Sequence, residues 1–449
     1  MTHWSNLTRI LVVLGLAFGL GMVLYVRHLV NNDEDATRLE DRLPAADYMI
    51  KTDLLDVAKE TSALLFANKI KFRDFVSHEF LLGQGKSFGL DLQSTTYIFA
   101  NETGEWGSLV AVNDSSKIKE GIAFLRQSIP VRDTLVDDRL TYYWPEENAF
   151  VSYDRNWLFV YKGTNFERHL KKISRAEKGD IVKEWKVFLD RKEFRKQKLV
   201  LSAKNKQLSE LGIERALFAH DNDSTSFTVL TYFKSTEPWA FKRKEKGKSL
   251  QYNAYTNMYL NLHMDVSEFR NATDSPFYKL LSKLSRRISF PFKEFMKAWE
   301  GDISFVQGGF QMVTETYIET EMDDDFNLQE VKKTREVKVP GFSLAVSLNK
   351  NANRFLERLK EKGILTQEDN ENKYRFLFSP PLNYLVQGQY HTFYSADYAP
   401  GLSDDNLNNG LWNEEGTKFN FQLDSLNPNE AFGKLKFPVE KLIQKNKFL

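Results

Sequence analysis

Apolar and polar positions along this chain follow three patterns. The first is a run from Ile10 to Val26 that carries no charged residue. At a rise of about 1.5 Å per residue this run spans roughly 26 Å, slightly less than a hydrocarbon core of about 30 Å. Leu29 and Val30 lengthen it if Arg27 and His28 snorkel to the headgroups, and Trp4 and Tyr25 stand near its ends. The polar run Asn31-Asn32-Asp33-Glu34-Asp35 follows at once, which disfavours a buried core helix. A cleaved signal peptide would need small residues where Val26-Arg27-His28-Leu29 stands. The pattern predicts an uncleaved transmembrane signal anchor over 1–30, with Ile10, Leu14, Gly15, Gly19, Leu24 and Val26 in the bilayer. Gly15 and Gly19 are spaced for close helix approach. Residues 31–44 read as a tether.

The second pattern alternates short period-two runs with helical spacing. In residues 45–245, strands are predicted over Ala45 to Ile50, Phe88 to Leu92, Thr95 to Ala100 and Ser108 to Val112. Leu140 to Trp144, Ala149 to Tyr153 and Trp157 to Tyr161 add a meander. Asp53 is placed to cap a helix through Leu54 and Leu55, and Asp114-Ser115-Ser116 opens another through Ile122 and Leu125. Residues 246–449 repeat the order: strands at Met258 to Met264, Gly301 to Phe305 and Phe342 to Leu348, a helix through Phe355 and Leu359, then a meander from Lys373 to Ser395. Asp53 and Asp265 lie 212 residues apart, and Ile122 and Leu356, like Leu125 and Leu359, lie 234 apart. Two constant offsets joined by one insertion are what a tandem duplication leaves. The insertion, near 312–340, alternates around an acidic tip from Glu321 to Asp325 and reads as a long β-hairpin. The expected fold class is therefore α+β: a transmembrane helix, then two tandem related modules with antiparallel sheets and flanking helices.

The third pattern is charge-dense. Residues 167 to 198 carry twelve Lys or Arg against six Asp or Glu, interleaved with Phe188 and other apolar residues. This reads as a solvated amphipathic helix, or as a contact for anionic lipid or a wall polymer through Arg168, Lys171, Lys172, Arg175, Arg191, Lys192 and Arg195. The stretch Lys242 to Lys248 reads as a linker or hairpin tip.

Composition narrows the picture. A formal charge of +1 gives no long-range attraction to nucleic acid, so no nucleic-acid partner is expected. Aromatics at 14%, with 35 Phe, favour sheet. The absence of cysteine excludes disulfides, thiolate metal sites and cysteine nucleophiles, and suits an oxidising compartment. Arg9 before the apolar run and Arg27 after it slightly favour the amino terminus inside and the body outside.

Catalytic signatures do not survive context. Gly85-Lys86-Ser87-Phe88-Gly89 matches G-x-S-x-G, but the hydrolase elbow needs a strand before the serine and a helix after it, the reverse of this pattern. A phosphate loop would place glycine at 80, where Phe80 stands. Asp323, Asp325 and Asn327 open like a calcium loop, yet Leu328 occupies the glycine position and Thr334 the twelfth. The seven histidines form no i, i+4 pair. Asp221 with Asp223, or Asp404 with Asp405, read as solvated turn carboxylates. No catalytic residue, cofactor or metal is expected.

The anchor, the Pro44-Ala45-Ala46-Asp47 opening and the paired strands Gly89-Leu90-Asp91-Leu92 and Gly301-Asp302-Ile303-Ser304-Phe305 resemble, in layout, uncharacterised Gram-negative envelope proteins with duplicated α+β domains of unknown function. The resemblance implies a periplasm-facing body on a single-pass inner-membrane protein and carries no catalytic residue. The expected partners are the bilayer through residues 10–30 and other envelope proteins. The expected role is a non-enzymatic subunit or scaffold of an envelope complex, the alternative a wall-acting hydrolase or a polymer- or ligand-binding protein.

Overall fold

The structure is a computed structural model that describes residues 37–67, 83, 85–127, 130–183, 185–186, 191–222, 226–252, 255–322, 328–367, 373–377, 379–395, 400–414 and 417–438. The chain divides into two compact units, one of Met1–Leu55 with His78–Lys196, the other of Asp56–Ser77 with Gln197–Leu449.

The first unit contains β1 (Tyr48–Thr52), β2 (Thr96–Ala100), β3 (Trp106–Ala111), β4 (Arg132–Val136), β5 (Arg139–Trp144), β6 (Ala149–Tyr153) and β7 (Trp157–Lys162). They pair antiparallel in the order β1-β2-β3-β7-β6-β5-β4. Asp137 and Asp138 make the two-residue turn between β4 and β5, both at positive φ, the conformation that matches the twist of a tight hairpin. Trp157, Phe159 and Tyr161 alternate inward along β7. Asp114 caps the helix Ser115–Leu125 by accepting from the Ser116 N–H at 3.0 Å. That helix buries Ile118 and Ile122 against Tyr142 and Val151. The helix Phe166–Ser174 buries Phe166, Leu170 and Ile173, and the Phe166 ring stacks on Phe150 and Phe159.

The second unit adds β8 (Leu199–Ala203), β9 (Ile213–Asn222), β10 (Ser226–Ser235), β11 (Gly247–Leu250), β12 (Thr256–His263), β13 (Trp299–Met322), β14 (Leu328–Leu348), β15 (Leu365–Gln367), β16 (Lys373–Phe376), β17 (Leu382–Gln387), β18 (Tyr390–Tyr394), β19 (Leu402–Asp405), β20 (Asn408–Glu414), β21 (Thr417–Asn427) and β22 (Glu430–Pro438). One antiparallel ladder runs β8-β9-β10-β22-β21-β20-β12-β13-β14-β18-β17-β16-β15, and β11 pairs with β19. Its second half, β12-β13-β14-β18-β17-β16-β15, has the strand order of the first unit. The helix Ala352–Glu361 follows β14 as Ser115–Leu125 follows β3, and buries Ala352 and Leu356 where the other buries Ile118 and Ile122. Registers differ by one residue: Leu109 opposes Phe159, and Leu344, not Ser343, opposes Phe393.

Two expectations are corrected. The fold is mostly β, with 48% of the described residues in strands and 23% in helix, rather than α+β. The difference lies in β8 to β11 and β19 to β22, to which no strand was assigned. Runs such as Phe227-Thr228-Val229-Leu230-Thr231-Tyr232 suit a pleated surface buried on alternate sides. The transmembrane anchor, with Ile10, Leu14, Gly15, Gly19, Leu24 and Val26, lies outside the described residues. Among the described residues no helix is long and apolar enough to cross a membrane. Leu54–Ala67, at 14 residues, falls short of the ~20 a span requires. The signal anchor and the single-pass inner-membrane placement with a periplasmic body are accordingly withdrawn.

Candidate binding sites

In the second unit β13 and β14 continue past their neighbours as a two-stranded arm. β12 reaches β13 only as far as Gly308, and β18 reaches β14 only back to Ser343. From the Phe310–Pro340 pair to the Met322–Leu328 pair the ladder has no third strand on either side among the described residues. A bulge between Gln307 and Phe310 marks the departure. It needs glycine: a Cβ on Gly308 would lie 2.3 Å from the Tyr255 carbonyl oxygen. Even-numbered residues of both strands share one face, because paired residues point the same way. That face exposes Phe310 (65%), Met312 (58%), Ile318 (59%) and Leu328 (74%). Along β14 the same face carries Glu330, Lys332, Thr334, Glu336 and Lys338, all exposed. Glu330, Lys332 and Glu336 have no ion-pair partner among the described residues, and Lys338 lies 4.2 Å over the Phe310 ring. On the opposite face Lys333 is neutralised by Glu319 and Glu321, and Arg335 lies over Tyr317.

The body of the second unit contains a buried polar cluster. Ser249 Oγ is 3.0 Å from His263 Nε2, His263 Nδ1 is 2.9 Å from Asp302 Oδ1, and the second carboxylate oxygen accepts from Tyr390 OH at 2.9 Å and Lys244 Nζ at 2.5 Å. Burial pushes the Asp302 carboxyl up, but hydrogen bonds from His263, Lys244 and Tyr390 with the Lys244 charge outweigh it and hold it below the usual carboxylate range. Ser–His–Asp connectivity is that of a nucleophilic triad. Here Ser249 is 2% exposed and His263 and Asp302 are buried, so no substrate atom reaches the hydroxyl, and the carboxylate is tied to a lysine. The cluster fastens β11 to β12, β13 and β18. Gly247 makes this possible, since a Cβ there would lie 2.4 Å from His263 Nδ1 and 2.8 Å from Asp302 Oδ1. Lys242 to Lys248 is thus no solvated linker. Its Lys244 enters the core, a role invisible to spacing because Ser249, His263 and Asp302 meet only through strand pairing.

The basic segment of the first unit is dispersed. Lys171 pairs with Glu167, Lys172 with Asp180 and Arg175 with Asp137. Arg191 is half-buried, while Lys192 and Arg195 lie on the short helix Lys192–Arg195, where the Arg195 carbonyl accepts from Lys51 Nζ at 3.2 Å. Only Arg168 and Lys172 of this set come together, lining a cavity of 440 Å³ with Asn101, Asn165 and His169. Its wall is stiffened by Glu105, which accepts from Thr164 N–H (2.6 Å), Thr164 Oγ (2.7 Å), Asn165 Nδ2 (2.6 Å) and Tyr161 OH (3.0 Å). The Asn165 and Thr164 hydrogen bonds hold the Glu105 carboxyl down at about 2.

The segment Gly85–Ser87 is helical and turns at Gly89 into the bridge Leu90–Val112, so it carries no nucleophile elbow. Residues 323–327 lie outside the described residues. Among the described residues no group of three or more His, Asp or Glu side chains is placed to hold a metal ion.

No family model matches the chain, and no curated protein matches it. Solved structures of TP0453 are similar to part of it. Crystal form IV aligns at 9% identity and a TM-score of 0.30 over 44% of this chain and 81% of that one, and form III at 9% identity and 0.31 over 45% and 81%. Likeness at that level carries no argument about fold or function.

Proposed function

We propose that this chain is a non-enzymatic assembly subunit that joins a second copy of itself through the free edge of β14. The supporting observation is the charge pattern on that edge. When two β14 strands run antiparallel with Thr334 opposite Thr334, Glu330 meets Lys338 of the other copy and Lys332 meets Glu336, each twice by symmetry. Cross-strand pairs of opposite charge each contribute about 0.2–1 kcal/mol, and like charges oppose pairing. On the other face the same register sets Lys333 against Arg335, a repulsion moderated because Lys333 is already held by two glutamates and Arg335 lies over Tyr317. Charged edge strands ordinarily prevent association. A pattern complementary to itself restricts pairing to one register and one partner. An isologous contact of this kind closes on a two-fold axis rather than growing into a filament.

The test is sedimentation equilibrium of the whole chain beside a variant whose arm, residues 312–338, is replaced by a two-residue turn. Among the described residues those of the arm pair only with each other, so their removal leaves the body's described ladders intact. A dimer that becomes monomeric without the arm supports the proposal. A chain monomeric at all concentrations, or dimeric without its arm, refutes it.

A hydrolytic alternative would draw on Ser249, His263 and Asp302, and their burial argues against it. Turnover of any ester probe that vanishes in Ser249→Ala would reinstate it.

A further inference from the structure

The cavity of the first unit has features that assembly does not use. Its floor is His169, 8% exposed and in ring contact with Phe99 and Tyr161. Neither ring nitrogen of His169 has a hydrogen-bond partner among the described residues, although the ring lines the cavity. The ring is buried, but neither of its nitrogens is among the fully buried polar atoms left without a partner, so the ring opens onto the cavity. The next residue towards the helix N-terminus, Arg168, has no ion pair or hydrogen bond among the described residues, and it also lines the cavity. Asn165, the N-cap residue of Phe166–Ser174, also lines the cavity and gives its side-chain amide to Glu105. Asn101 and Lys172 add polar groups to the lining, Lys172 being paired with Asp180.

We infer that this cavity binds a phosphate group, carried by a small phosphomonoester or by a lipid headgroup. A guanidinium offers a planar fork to two phosphate oxygens. His169 offers the phosphate a further hydrogen-bond partner from the lining. Burial, and then the Arg168 charge, lower its proton affinity, outweighing the opposing charge of Glu105. A bound dianion acts in the opposite sense, so occupancy is reported by the imidazole itself. At 440 Å³ the cavity exceeds what a bare phosphate fills, which leaves room for the group that the ester carries.

The experiment titrates the whole chain with inorganic phosphate and with glycerol 3-phosphate, following the His169 imidazole resonances. In parallel it measures flotation with phosphatidylcholine vesicles with and without phosphatidic acid. Saturable binding of glycerol 3-phosphate that moves the His169 resonances, without flotation, identifies a soluble phosphomonoester. Flotation that requires phosphatidic acid identifies the headgroup. Arg168→Gln, at an exposed position that leaves the fold undisturbed, is expected to weaken either by about tenfold or more, the loss of one charge-assisted pair. Arg175→Gln, outside the cavity, is expected to leave both unchanged. No saturable binding of either soluble probe together with no flotation overturns the inference, as does equal weakening by the two variants. Neither result depends on the arm, since the armless variant retains the cavity.

Discussion

Reversing one charge on the β14 edge separates self-recognition from simple stickiness. In the proposed register Lys332 opposes Glu336 of the second copy, and each contact occurs twice. Glu336→Lys removes two attractive contacts and creates two repulsive ones. At about 0.2–1 kcal/mol for each change, the dimer loses about 1–4 kcal/mol. That is roughly a fivefold to nearly thousandfold rise in its dissociation constant. Within its own ladder Glu336 opposes Thr314 and Lys332 opposes Ile318, so the reversal sets no like charge directly across the arm. The double variant Lys332→Glu with Glu336→Lys restores the opposite-charge contacts with their signs exchanged. Sedimentation velocity over a concentration series, at low and high salt, reads all three proteins. The single variant is expected to dissociate at concentrations where the parent is dimeric, and the swap to recover most of the loss. High salt is expected to narrow the difference, because exposed charges are screened. A swap as weak as the single reversal would refute the register.

Other consequences concern stability and acid response. Gly247→Ala places a methyl against His263 and Asp302 and is expected to cost about 1–3 kcal/mol, read as a lower thermal midpoint. Asp302→Ala leaves Lys244 charged at a mostly buried position and is expected to cost about 3–5 kcal/mol in denaturant titrations, with Ser249→Ala far milder. Glu105, held down at about 2 by Asn165 and Thr164, contributes stability above the ordinary carboxylate value near 4.5 that is lost as pH falls towards 2. Glu105→Gln is therefore expected to flatten that part of the acid-unfolding curve, and an unchanged curve would contradict the assignment.

What could be read before the structure was local. Asp114 capping its helix, the period-two runs of β5 to β7 and the hairpin near 312–340 all follow from residue order, since each depends on neighbours in sequence. The strands from Ile213 to Ser235 and from Asn408 to Pro438 alternate as plainly, but the pairing of β10 with β22 joins residues about two hundred positions apart, and no spacing rule predicts it. The same holds for the Ser249–His263–Asp302 cluster. Searches at i, i+4 find histidines on one helix face, not residues that three strands bring together. The basic segment is the reverse case. Seven cations read as one surface, yet ion pairs with Glu167, Asp180 and Asp137 occupy three of them, and only the fold shows that Arg168 and Lys172 share a cavity while the others do not.

The two-fold contact at Thr334 is open to one direct measurement, because the chain has no cysteine to interfere. Facing residues of antiparallel strands stand about 4.5–5.5 Å apart between Cα atoms, within the range a disulfide bridges. Under mild oxidation Thr334→Cys is expected to give a covalent dimer rapidly, while Thr316→Cys, its neighbour across the arm on β13, stays monomeric. Equal rates for the two, or no covalent dimer from Thr334→Cys, would contradict assembly through this edge.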